Sequence, residues 1–169
     1  VVGADKALRL LALADRARLA VGVDSVEGAR TLAAPFHAAS RTLDVMLKVD
    51  VGLHRVGVEP GDALEVARRI AYLPGLRLRG VFKHAGQSYG GETPAAVAEV
   101  GRAEGGILAY VGAALAAAGL GPLEISVGST PTAAHAMKVA GVTECRPGSY
   151  VYHDASQVSL GVCGLDDCG

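Results

Sequence analysis

Three stretches of this chain gather polar side chains and glycines directly after apolar runs: Asp50 to Arg55, His84 to Tyr89, and Gly128 to Thr132. In SVGSTPTA, Gly128 permits a tight turn, while Ser129 and Thr130 offer hydroxyls and amides ahead of a helix start, a combination suited to phosphate. A Ser/Thr helix cap with Pro131 at the first helical position would use the same residues without any ligand. In VMLKVDVGLHRVGV, Lys48 and Asp50 lie two apart on one strand face, and Arg55 follows on a glycine-flanked loop. Arg55 suits an anionic oxygen, with Asp50 holding its neighbours in place; the alternative is a buried Lys48–Asp50 ion pair that braces the sheet. His84 follows VFK, where its imidazole can lie against a planar ligand or orient another side chain. Tyr89 is either a phosphate donor or a packed aromatic, in a loop that Gly86, Gly90 and Gly91 keep accessible. His37, His54, His135 and His153 show no metal-ligand spacing and read as surface or cap residues.

The elements that must position these loops alternate. DKALRLLALADRA spaces Leu8, Leu11, Ala12 and Leu13 as a helix would, and RLAVGVD reads as a short strand through Val21 and Val23. Asp24 and Ser25 stand at a helix cap before VEGARTLAAPFHAA, in which Pro35 is expected to kink or shorten the helix. LDVMLKVDV is a strand; GDALEVARRIAYL is an amphipathic helix opened by Pro60 and Asp62; LRLRGVF is a strand. A helix is expected from about Thr93 to Ala118, with a break near Gly105 and Gly106, and then the strand LEISV and a shorter helix from Pro131. Strands buried on both faces and separated by helices require a parallel sheet, either a closed barrel or an open doubly wound one, with ligands at the carboxyl ends of the strands.

Composition narrows the partner. The 169 residues are 50% hydrophobic, enough for one core, and a net charge of −1 gives no footprint for nucleic acid or an anionic membrane. No run approaches the ~18 consecutive apolar residues of a spanning helix. Cys145, Cys163 and Cys168 form no CxxC pair, which favours a reducing cytoplasm over a disulfide framework. A small molecule is the expected partner.

Four segments, LKVDVGLHRVGV, VFKHAGQSY, ISVGSTPTA and TECRPGSYVYHD, run in this order from Leu47 to Asp154. Together they resemble the alanine-racemase-type barrel of fold-type III pyridoxal phosphate enzymes. HAGQSY, SVGSTPT and ECRPGSYVYHD are similar to its D-threonine aldolase and D-serine dehydratase branch. The resemblance implies a partial (β/α)8 TIM barrel of the alanine racemase N-terminal type, and pyridoxal phosphate as cofactor. It implies that Ser126, Gly128, Ser129 and Thr130 line the cofactor phosphate, joined by Tyr89 or Tyr150. It also sets Arg55 near the phenolic oxygen, His84 near the ring, and Arg146, in the RPG turn, near the pyridine nitrogen. The implied activity is that of a lyase on D-amino acids, either aldol cleavage to glycine and an aldehyde or loss of the β-hydroxyl to give pyruvate and ammonia. Rival expectations are an amino-acid racemase, a non-catalytic pyridoxal phosphate carrier, and a barrel piece with no ligand.

The chain enters on Val1 directly before helix-like sequence and stops at a turn-like LDDCG, so truncation at both ends is expected. Residues 1–154 are expected to be the cofactor-binding barrel. Residues 155–169, ASQVSLGVCGLDDCG, are expected to start a C-terminal β-domain with a strand. The resemblance puts the imine-forming lysine upstream of residue 1, so none of Lys6, Lys48, Lys83 and Lys138 is given that role and the piece is expected to be inactive alone. It puts a divalent metal in the β-domain of the full-length protein, leaving no metal residue here, and implies a homodimer when full length.

Overall fold

The apolar runs fold, in a computed structural model, into strands and helices in strict alternation, described over residues 3–121 and 123–169. Val1 and Val2, on which the expected chain entry falls, lie outside the described residues. The order is α1 (Ala4–Leu13), β1 (Ala20–Val23), α2 (Val26–Ala38), β2 (Leu43–Lys48), α3 (Ala63–Ala71), β3 (Leu76–Phe82), α4 (Pro94–Leu115), β4 (Glu124–Val127), α5 (Ala133–Ala136), β5 (Glu144–Cys145) and α6 (Ala155–Ser159). All strand pairs are parallel, and the spatial order is β1-β2-β3-β4-β5. The order never reverses. A doubly wound sheet needs a switch point where it does, so the winding is that of a barrel, here in part.

Strand alternation sorts the two faces. On β2, Leu43, Val45 and Leu47 are fully buried under the helices, packed in one core with Leu32, Phe36, Ile70, Leu108 and Leu115. Asp44, Met46 and Lys48 point the other way and are half-buried. That inner face is polar: Arg77 Nε bonds Asp44 at 2.7 Å and Arg79 Nε bonds Glu124 at 2.8 Å. The register of β2 on β3 slips between Val45 and Met46, so Val45 pairs with Leu78 while Met46 pairs with Gly80. The extra residue presses Gly80 edge-on against β4.

Caps explain the helix starts. Ser25 Oγ accepts from the Gly28 amide at 3.1 Å, and Thr93 Oγ1 from the Ala96 amide at 3.2 Å ahead of Pro94. Pro35 sits inside α2, which continues to Ala38.

Two expectations are corrected. α4 runs unbroken through Gly105 and Gly106, with Gly101 and Gly105 serving as packing residues: a Cβ on Gly105 would lie 2.6 Å from Val139 Cγ2, and one on Gly101 2.9 Å from the Thr132 carbonyl. Taken with the π-helical turn that follows it (Pro94–Leu120), this helix contains an 18-residue stretch with a mean hydropathy of 1.5, sufficient by composition to cross a membrane. It nevertheless packs on β4 and α5 as a core helix and buries Glu104. The segment after Asp154 opens as a helix and not a strand, since the Asp154 carboxylate caps the Gln157 amide at 3.1 Å and the Gln157 side chain is fully buried. β5 was not anticipated at all.

Candidate functional site

The loops after β2, β3, β4 and β5 meet at the carboxyl ends of the strands. Asp50 organises the first. Its Oδ1 accepts from the amides of Gly52 (3.0 Å), Leu53 (3.1 Å) and His54 (3.2 Å) and from Lys83 Nζ at 2.7 Å. Gly57, at φ +130, lets the loop fold back until a Cβ there would lie 2.8 Å from the Asp50 amide. The alternative of a Lys48–Asp50 pair is therefore set aside: Asp50 pairs with Lys83 from the end of β3, and both are buried. Burial alone would raise the Asp50 pKa, but the Lys83 bond and the Gly52 and His54 amides outweigh it and hold the carboxyl well below the usual range. Lys48 stays half-buried with its ammonium 5.7 Å from the Phe82 ring centre.

Cations converge around His84. Burial first, and then Arg55, Lys48 and Arg146, depress its proton affinity, with the nearby Gly128 backbone opposing. Lys48 is depressed likewise, by burial and then by Arg55, Lys83 and Arg146, with Asp24 opposing. Arg55 is exposed at this mouth.

The β4 loop is the best-organised part. Ala85 N–H donates to the Gly128 carbonyl at 3.1 Å, and Gly128 N–H to Glu104 Oε1 at 3.2 Å. A hydroxyl carries one proton, so donors can be assigned. Ser88 gives its proton to the Ala85 carbonyl (2.7 Å), hence its contact with Ser129 Oγ at 3.0 Å is a bond donated by Ser129. Ser126 donates to Glu144 and accepts from Arg146 Nε at 2.6 Å. Thr132 donates to Glu104 Oε2 at 2.9 Å. Among the described residues Thr130 Oγ1 only accepts, from Ser149 N–H at 2.9 Å, so its proton is free to donate. Among the described residues the amides of Ser129 and Thr130 also have no backbone acceptor. Of the three hydroxyls expected to line an anion, the structure thus leaves Thr130 as the free donor, with Ser126 and Ser129 engaged beside it.

Arg146 is anchored from below. Its Nη2 donates to the Lys83 carbonyl at 2.6 Å, its Nε to Ser126 Oγ, and its guanidinium lies 5.4 Å from the Phe82 ring centre. A groove of about 260 Å3 on the inner face is lined by Gly22, Met46, Phe82 and Arg146 among others. A cleft of about 420 Å3 opens at the opposite end of the strands beside Arg41 and Arg77, away from these loops. Tyr89 is 41% exposed on a 3-10 turn (Gly86–Gly90), with its hydroxyl 3.4 Å from Gln157 Nε2; Tyr150 is 60% exposed. These two are the least tied to the loop.

Sequence reasoning missed Glu104, Lys83 and Gln157. Glu104 carried a signal, an acid set between Gly101 and Gly105 in a largely apolar helix. It is 1% exposed, and burial raises its pKa against the opposing Gly128 and Thr132 bonds. Asp50, His54 and Glu59 also bring ligand-type atoms within 4.8 Å of one another, a grouping that spacing did not suggest; Asp50 is already committed to Lys83, and the other two are exposed.

The family described as alanine racemase, N-terminal domain, matches residues 2–156. The D-threo-3-hydroxyaspartate dehydratase of Delftia sp. (strain HT23) is 40% identical over 147 residues, covering 86% of this chain and 39% of that protein. Its structure superposes with a TM-score of 0.91 over 99% of this chain and 45% of that one, at 36% identity. The D-serine dehydratase of Dictyostelium discoideum is 32% identical over 134 residues, 74% of this chain and 34% of the relative. The D-threonine aldolase of Filomicrobium marinum superposes with a TM-score of 0.88 at 33% identity over 94% of this chain and 43% of that one. The chain spans less than half the length of these relatives.

Proposed function

The chain belongs to the alanine racemase N-terminal domain family, and on that premise we propose that its strand ends hold pyridoxal phosphate for a lyase that acts on β-hydroxy D-amino acids. The observation that carries the reading is the β4 loop: two unpartnered amides and one free hydroxyl proton, at Ser129 and Thr130, beside the cations that surround His84. This donor set fits a phosphate dianion. The relatives that are dehydratases or aldolases act, by their names, on 3-hydroxyaspartate, serine and threonine, all β-hydroxy amino acids, which supports the substrate class.

Bound there, the cofactor would supply an electron sink for the bond broken at the amino acid's α-carbon. The chain's own residues bind and orient. Thr130 and the Ser129 and Thr130 amides take the phosphate, Gly128 being kept free of a Cβ by Arg146, whose carbonyl would lie 3.1 Å away. Asp50 fixes the turn that carries Arg55 into the mouth, and the Ser126 and Lys83 contacts aim Arg146 at the inner face. His84, with its proton affinity lowered, is held neutral near pH 7 and offers an uncharged face. The imine-forming lysine and a divalent metal belong, in this reading, to parts of the whole protein outside this chain.

Thr130→Val tests the anion site. Valine keeps the volume and removes the free hydroxyl, so the affinity for inorganic phosphate, read by calorimetry, should fall about tenfold, the worth of one charge-assisted hydrogen bond. Thr130→Ser should restore it. Unchanged binding in Thr130→Val would remove this loop from the site.

A further inference from the structure

Glu104 has no part in the reading above, yet it is a carboxylate placed in the core from the middle of α4 without, among the described residues, a cation in contact. A buried charge of that kind is costly unless its oxygens are well used. Both are used on the same loop: Oε1 takes the Gly128 amide at 3.2 Å, and Oε2 takes the Thr132 hydroxyl at 2.9 Å. These anchors bracket Ser129 and Thr130. The helix is brought close enough by its glycines, since a Cβ on Gly101 would lie 2.9 Å from the Thr132 carbonyl and 3.1 Å from Thr132 Cβ, and one on Gly105 3.0 Å from the Ala136 carbonyl.

We infer that Glu104 is the positioning residue of the anion site: by holding both ends of the Gly128–Thr132 turn from behind, it leaves the Ser129 and Thr130 amides and the Thr130 proton directed at the ligand. The inference rests on reading that turn as a phosphate site. The carboxylate does not touch the phosphate; its charge repels a dianion across the loop. Two roles therefore separate. Geometry depends on acceptors at two fixed points, whereas charge only disfavours the ligand.

Glutamine keeps the geometry and drops the charge, because its Oε1 can accept from Gly128 N–H while its amide donates to Thr132 Oγ1. Leucine keeps the volume and drops both bonds. Inorganic phosphate affinity should therefore be equal to or tighter than wild type in Glu104→Gln and about tenfold weaker in Glu104→Leu, each in a cooperatively melting protein. Hydrogen exchange at the Gly128 amide, measured without ligand, should be slow in wild type and Glu104→Gln and fast in Glu104→Leu. A mere brace between α4 and β4 would move the melting temperature and leave phosphate affinity alone. Phosphate binding in Glu104→Leu equal to wild type overturns the inference while leaving the site intact, as does Glu104→Gln binding as weakly as Glu104→Leu. Failure of the wild-type chain to bind phosphate overturns the site and this role together.

Discussion

Replacing Lys83 by Met should lower the unfolding free energy by about 3–5 kcal/mol, the usual consequence of removing one partner from a buried ion pair. Lys83 is fully buried and Asp50 is 5% exposed, so the carboxylate left behind would have no water to turn to. It would keep the Gly52, Leu53 and His54 amides on Oδ1 and lose the one full positive charge. Urea denaturation of Lys83→Met, Asp50→Asn and the double variant forms the cycle that measures the coupling. The double variant should recover part of the loss, because its remaining groups are neutral. The acid limb gives an independent sign. Asp50 has a folded pKa below its unfolded value, so its contribution is complete above about pH 4 and is lost as the pH falls below that. In Lys83→Met the depressing partner is gone, and the acid dependence should become shallower. A variant as stable as wild type, with the same acid slope, would mean that the pair does not form.

Gly80→Ala should cost about 3 kcal/mol or more, at the upper end of what an added methyl does in a core. The β2–β3 register slip places this glycine edge-on, so that a Cβ would lie 2.1 Å from the Glu124 carbonyl oxygen and 2.8 Å from its carbon. Those atoms are backbone of β4 and cannot swing aside as a side chain does. Relief would require opening β3 from β4, and the β4 loop with it. Gly106→Ala is the internal control: it is an exposed position in α4 with nothing within 4 Å, where alanine should stabilise by roughly 0.5–1 kcal/mol. Equal melting temperatures for the two variants would contradict the packing of β3 on β4.

The alternation of strand and helix was legible because apolar periodicity is local, and β1 to β4 fall where the runs of valine, leucine and isoleucine lie. β5 was not legible, since Glu144–Cys145 is two residues long and takes its strand character from pairing with Ser126 and Val127. The break expected in α4 shows the limit of propensity: glycine weakens an isolated helix, yet here it buys the close approach to α5. The strand expected after Asp154 failed for a related reason, as alternation over a few residues also fits a short capped helix. Loops bearing Arg55, His84, Thr130 and Arg146 could be foreseen to share one end of the sheet, because parallel strands put their carboxyl ends together. Which side chain meets which could not. Lys83 lies 33 residues from Asp50, and Glu104 lies 24 from Gly128 and 28 from Thr132, separations at which residue type carries no register. The assignment of hydroxyl protons that singles out Thr130 needs all the neighbours at once.

The central claim is that the β4 loop recognises the phosphate of pyridoxal phosphate, and the direct measurement is equilibrium binding of pyridoxal phosphate against pyridoxal, with inorganic phosphate as competitor. Pyridoxal closes to an internal hemiacetal that the phosphate ester cannot form, so the competition by inorganic phosphate is what isolates the phosphate contribution. At least a tenfold preference for the phosphate ester, abolished by inorganic phosphate, is the predicted result. Equal affinity for both, or binding that inorganic phosphate leaves untouched, would contradict the account.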